Sequence, residues 1–157
     1  KDWREVFLNG INTWLFPNNS RNKKTIDKFF SDLTKGFVPL RDKLIVAGRK
    51  IVVPSSAGGI AKFDFKDLCE EPLAASDYIE IADKYKGLII YNVPILDKQK
   101  NNEARRFIWL VDALYDRGCF LMCTSQTEIK NIYQGDQWKF EFDRTISRLM
   151  EMSRIKK

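Results

Sequence analysis

The sequence predicts an α/β fold in which helices cover the faces of a largely parallel sheet. Two apolar runs, GLIIYNVP at 87–94 and CFLMCTS at 119–125, read as strands buried on both faces, and a segment of helical period lies between them. Strand, helix and strand within about 35 residues make a βαβ crossover, the connection that joins parallel strands. The chain is also rich enough for a sizeable core: 157 residues are 44% hydrophobic, with 11 Phe, 5 Tyr and 4 Trp.

The elements follow in order. Asn22 is placed to cap a helix whose buried stripe is Ile26, Phe29, Phe30 and Leu33, with Gly36 ending it. KLIV and KIVVP bracket the turn Ala47-Gly48-Arg49 and form a β-branched hairpin that Pro54 stops. A loop through Ser55, Ser56 and the Gly58-Gly59 pair leads to a third strand, IAKFDF. Ser76 can cap a helix carrying Ile79, Ala82 and Tyr85, after which Gly87 opens the central strand GLIIYNVP. The polar loop DKQKNN precedes a helix with the stripe Phe107, Leu110, Val111 and Leu114, closed by Gly118 before CFLMCTS. A last helix from Arg144 to about Arg154 buries Ile146, Leu149 and Met150. No linker divides the chain, so 1–157 reads as one α/β domain with an N-terminal helix and hairpin that extend or cover the sheet, and a C-terminal helix.

Composition removes several chemistries. Histidine is absent, which excludes Ser-His-Asp and Cys-His nucleophilic sites, His-ligated zinc and the HExxH pattern, because each needs imidazole. Cys69, Cys119 and Cys123 are odd in number, and two of them lie in an apolar run that reads as a buried strand, so the three read as small core residues of a protein in a reducing compartment. The net charge of +6 is concentrated in 21–50 and 144–157. Without aromatic-basic motifs it reads as a solvated face rather than a nucleic-acid site. No apolar run reaches the length of about 18 residues that spans a bilayer, so no transmembrane segment is expected. The opening on Lys, in mid-pattern, suggests a piece of something longer.

Four motifs bear on chemistry. A phosphate-binding loop needs GxxxxGK followed by Ser or Thr, and no such segment occurs; Gly58-Gly59 precede a strand and read as a hairpin turn. GLIIYNVP is placed like the strand that carries a magnesium-binding acid, yet it ends in Asn92 and Pro94, and Asp97 beyond it reads as a turn acid. Arg105 and Arg106 in the early turns of a helix offer forks for phosphate, for a subunit interface, or for salt bridges near Glu103 and Asp112. Arg144 and Arg148, four apart, share a helix face and suit either a phosphate or pairing with Glu141, Asp143 or Glu151.

GRKIVVPSSAGGIAKFDFKDLCEEPLAASDYIEIA, NEARRFIWLVDALYD and FEFDRTISRLMEM together resemble the C-terminal portion of the ZapE family, P-loop ATPases of bacterial division with mitochondrial relatives. The resemblance covers roughly residues 44 to 152, and the opening KDWREVFLNGINTWLFP is similar to the family's Asp-Tyr-Arg segment with Trp3 in place of Tyr. It implies a P-loop-NTPase-like sheet in an AAA-like ATPase, with Walker A and Walker B motifs upstream of this segment. ATP and Mg2+ are then cofactors of the intact protein, and this segment alone is expected to bind neither and to be inactive. Implied partners are the upstream P-loop domain, division-ring or quality-control proteins, and further copies in an oligomer. The implied location is the bacterial cytoplasm or the mitochondrial matrix. The resemblance makes Arg144 and Arg148 candidate nucleotide-sensing residues, with Arg105 and Arg106 as interface or phosphate candidates. The alternative is an ATP-independent interaction module derived from that family; a basic nucleic-acid binder is a weaker third.

Overall fold

A computed structural model describes residues 2–3 and 12–153, so most of the opening KDWREVFLNGINTWLFP and the end of the C-terminal basic run lie outside the described residues. The chain forms a six-stranded mixed sheet with helices on its faces, the α/β class expected. The first strand, β1 (Trp14–Leu15), is followed by helix α1 (Ser20–Leu33). The cap of α1 is Asn19, not Asn22: the Asn19 side chain accepts from the backbone N–H of Asn22 at 2.9 Å, and the Asn22 amide donates to the Pro17 carbonyl. Ile26 and Phe30 are buried, with Phe29 and Leu33 packed beside them as the periodicity predicts.

Strands β2 (Leu40–Val46) and β3 (Arg49–Ala57) form the expected hairpin, but β3 runs on through Pro54. The β2–β3 register shifts between Leu40 and Asp42, and Pro54 lies at that irregularity, where the ladder does not require its missing N–H. Gly58 (φ 59°) and Gly59 (φ 83°) are the turn into β4 (Ile60–Asp64), and both occupy the left-handed region that glycine adopts without strain. A π-helical turn, Lys66–Glu70, then carries Leu68 and Cys69 into the core.

Helix α2 spans Ala75–Lys84. Its start is set by Asp77, whose carboxylate accepts from the Ala74 N–H at 2.7 Å, rather than by Ser76. Its buried face is Tyr78, Ile81, Ala82 and Tyr85, while Ile79 is 37% exposed, because the sheet lies under the stripe one residue earlier. Strand β5 (Gly87–Val93), helix α3 (Asn101–Asp116) and strand β7 (Phe120–Ser125) form the predicted crossover, with the short strand β6 (Leu96–Asp97) before α3. A second short strand, β8 (Tyr133–Gln134), pairs with β6 in a separate ribbon. Helix α4 spans Lys139–Ser153 and starts five residues before Arg144. The reason is Phe142, fully buried and stacked 4.5 Å from Tyr133 and 6.3 Å from Phe107. Leu149 is buried as expected, Ile146 and Met150 only partly, and Thr145 and Met152 complete the inner face. The expected end near Arg154 lies outside the described residues.

The strand order is β1-β7-β5-β4-β3-β2, parallel from β1 to β4 and antiparallel through the hairpin, which extends the sheet. Alternation along β5 sorts the two faces: Leu88 and Ile90 join α2, α3 and α4, whereas Ile89 and Tyr91 join α1. Packing is tight where β5 begins, since a Cβ on Gly87 would stand 2.2 Å from the Phe120 ring. All three cysteines are buried, and among the described residues no helix is long and apolar enough to cross a membrane.

Candidate functional site

In open α/β sheets ligands gather at the carboxyl ends of parallel strands. Here those ends are tied to one another. Asn92, at φ 66°, donates its side-chain amide to Asp64 at the end of β4, and its backbone N–H donates to Thr124 Oγ1 of β7 at 2.9 Å. Asp64 also accepts from the Lys66 N–H. Asp97 is a turn acid whose carboxylate accepts from the Gln99 N–H at 3.0 Å. Among the described residues no three His, Cys, Asp or Glu side chains are grouped to hold a metal. The sequence has no GxxxxGK followed by Ser or Thr to cradle phosphates.

The two candidate arginines of α4 meet on α3. Arg144 Nη2 reaches Asp112 Oδ2 at 3.2 Å, and Arg148 Nη1 donates to Asp112 Oδ1. Their partner is therefore Asp112, rather than Glu141, Asp143 or Glu151 on their own helix. The Arg148 guanidinium also stands over the Tyr115 ring at 4.8 Å. Two guanidinium groups against one carboxylate leave net positive charge and spare N–H donors. The Arg144 side chain is 57% exposed, beside a cavity of about 670 Å³ lined by Tyr115, Ser147, Met150 and Glu151.

The arginines of α3 are placed apart from that pair. Arg105 stacks between Trp138 at 4.5 Å and Trp109 at 5.1 Å, and Arg106 donates to the Cys69 carbonyl at 3.0 Å, bracing the turn between β4 and α2. Both guanidinium groups thus have internal contacts, and neither joins Arg144 and Arg148.

Two clusters escape the sequence. Asp27 of α1 accepts from Tyr91 of β5 and from Lys62 of β4 and Lys23, each lysine at 3.1 Å. Burial works to raise the Asp27 carboxyl, but these hydrogen bonds outweigh it and hold it below the ordinary value. Burial, and then Asp27, push the Tyr91 phenol up, so it stays a protonated donor. At the hairpin, Arg49 bonds Asp77 at 2.6 Å, and Asp42 takes both Lys84 and the Tyr85 hydroxyl at 2.8 Å. Apart from the i,i+4 pair Lys23–Asp27, no local spacing signals these contacts, because each joins elements far apart along the chain.

Comparison with known proteins places this architecture in a family. A family model described as AFG1-like ATPase matches residues 1–156. Cell division protein ZapE of Escherichia coli is 31% identical over 151 residues, which cover 96% of this chain and 40% of that protein. An uncharacterized protein of Schizosaccharomyces pombe is 35% identical over 134 residues, covering 84% of this chain and 30% of its own length. Lactation elevated protein 1 homolog B of Danio rerio is 30% identical, covering 69% of this chain and 28% of its own. The chain thus spans between 28% and 40% of the length of these curated relatives. With a match along almost its whole length, this chain belongs to the AFG1-like ATPase family.

Proposed function

We propose that this chain is the C-terminal part of a ZapE-like ATPase and couples ATP hydrolysis, carried out by an upstream P-loop domain, to protein partners. The observation that carries this reading is the under-neutralised arginine pair, Arg144 and Arg148, held at the domain surface by the single carboxylate of Asp112. An anion presented by the upstream domain competes with Asp112 for the same forks, and α4 then shifts its hold on α3. In this division of labour ATP and Mg2+ are held upstream, and 1–157 acts as one unit that carries the sensing arginines. The similarity to a cell division protein favours division-ring partners for a bacterial source, in the cytoplasm. A mitochondrial source would favour quality-control partners in the matrix.

The test is ATP hydrolysis by the full-length protein carrying Arg144→Ala, Arg148→Ala or Arg148→Lys, with thermal unfolding measured in parallel. The expected result is a fall of about tenfold or more in kcat for either alanine variant, with little change in melting temperature for the exposed Arg144. Unchanged hydrolysis together with unchanged partner binding in both alanine variants would remove the sensing role. The ATP-independent interaction module remains the second reading, favoured by the self-satisfied strand ends at Asp64, Asn92 and Thr124. Full hydrolysis by a protein lacking this segment would support it.

A further inference from the structure

Three connections meet at the amino ends of the parallel strands: Gly58-Gly59 before β4, Lys86 before β5 and Gly118 before β7. Backbone bonds tie them together, with the Lys86 N–H on the Gly59 carbonyl at 2.8 Å and the Phe120 N–H on the Lys86 carbonyl at 3.2 Å. Trp3 is held at the same end. Its N–H donates to the Gly118 carbonyl at 2.9 Å, and the Lys86 ammonium stands 5.0 Å from the centre of its ring. Beside it, the strap between α1 and β2 leaves the surface apolar: Phe37 is 61% exposed, Val38 74% and Leu40 65%, and Pro39 between them is exposed too. Phe37 lies against Gly58, where a Cβ would stand 3.4 Å from its ring, and Leu40 pairs with Ser56 next to the same turn. Phe37, Gly58, Gly59, Lys86 and Trp3 therefore form one continuous surface. Single apolar side chains scatter over any protein surface, but four in succession mark a contact.

We infer that this strap is the seat of the domain that precedes the segment in the intact polypeptide, packed against Phe37, Val38 and Leu40 through an apolar face of its own. The inference rests on the upstream domain of the proposed function and assigns that domain a place. Two observations select this occupant over a separate partner. The first is position: Trp3 is fixed on the surface that carries the strap, so a domain joined ahead of Trp3 is delivered to it. The second is size. A stable interface between separate proteins takes roughly 20–30 residues from each side. A short strap falls below that, but a tethered domain is present at an effective concentration on the order of millimolar and needs far less contact area. The curated relatives leave room for such a domain, because this chain spans between 28% and 40% of their length. The seat also suits coupling: α3 ends at Asp116 just before Gly118, so Asp112, which holds Arg144 and Arg148, lies toward the same end of the molecule.

The experiment is photo-crosslinking within the full-length protein, mapped by mass spectrometry. One variant carries Val38→p-benzoylphenylalanine; a control carries Lys98→p-benzoylphenylalanine, beyond the carboxyl end of β5, and both native side chains are exposed. The expected result is crosslinking from the Val38 site to peptides upstream of this segment in the same polypeptide, at about tenfold or more the yield from the Lys98 site. Adding Phe37→Ser and Leu40→Ser should lower that yield about fivefold or more, with helix and strand content unchanged because both side chains are exposed. Crosslinks only to a second copy, seen on a band of doubled mass, would overturn the inference. So would crosslinks only within this segment or only to phosphatidylglycerol in added vesicles, equal yields from the two sites, or no crosslink from the Val38 site. None of these outcomes depends on ATP hydrolysis, so each leaves the role of Arg144 and Arg148 standing. A full-length chain without a folded upstream domain would overturn both.

Discussion

Asp77 is 0% exposed and serves two partners at once, the Ala74 N–H at the start of α2 and the Arg49 guanidinium of the hairpin. Replacing it with Ala removes the cap and strands Arg49, so Asp77→Ala should destabilise the protein by about 2–4 kcal/mol in urea unfolding, and Asp77→Asn by less. A loss below about 0.5 kcal/mol would show that the carboxylate is dispensable. Asp42 makes a pH-dependent contribution. Hydrogen bonds from Lys84, the Lys43 backbone and Tyr85 draw its carboxyl from 3.8 down to about 2. A depressed folded value means that its stabilisation is present above the unfolded value and is lost as pH falls through the folded one. Asp42→Asn should therefore flatten the fall in melting temperature between about pH 4 and about pH 2, and leave the profile above about pH 5 unchanged in shape. An identical acid limb in the variant would contradict this. Neither residue stands out in the sequence: Asp42 is one polar residue in a strand, and Ser76 beside Asp77 offers equivalent capping chemistry. The deciding partners, Arg49 and Lys84, come from other elements.

Elements whose burial is decided locally were legible, and those decided by a neighbour were not. β5 and β7 are apolar on both faces, so their runs announced buried parallel strands, and the α3 stripe between them fixed the crossover. The passage of β3 through Pro54 depended on the register shift in β2, and the early start of α4 on the rings of Tyr133 and Phe107. Two substitutions test those packings. Phe142→Ala should cost about 3–5 kcal/mol, because the ring is fully buried between two others and the space cannot collapse around it. Gly87→Ala should cost about 1–3 kcal/mol by forcing a methyl group against Phe120, and adding Phe120→Leu should make the combined loss smaller than the sum of the single losses. Additive losses would place the strain elsewhere.

At the scale of the whole molecule, family and fold class could be read from motif order, whereas the site could be read only in part. The spacing of Arg144 and Arg148 announced a shared face, yet only the packing of α4 on α3 reveals Asp112 as the carboxylate between them. Part of the basic excess gathers at the hairpin, where Arg41, Lys43 and Lys50 are exposed together. A protein that couples nucleotide state to partners must carry the signal through an element with two arrangements, and α4 on the Asp112 clasp is that element in our account. Hydrogen–deuterium exchange of the full-length protein, with ADP and with a non-hydrolysable ATP analogue, tests this most directly. Exchange within Lys139–Ser153 and around Asp112 should differ between the two nucleotides, while β5 and β7 stay equally protected. Identical exchange throughout this chain in both states, with both nucleotides bound upstream, would contradict the coupling role.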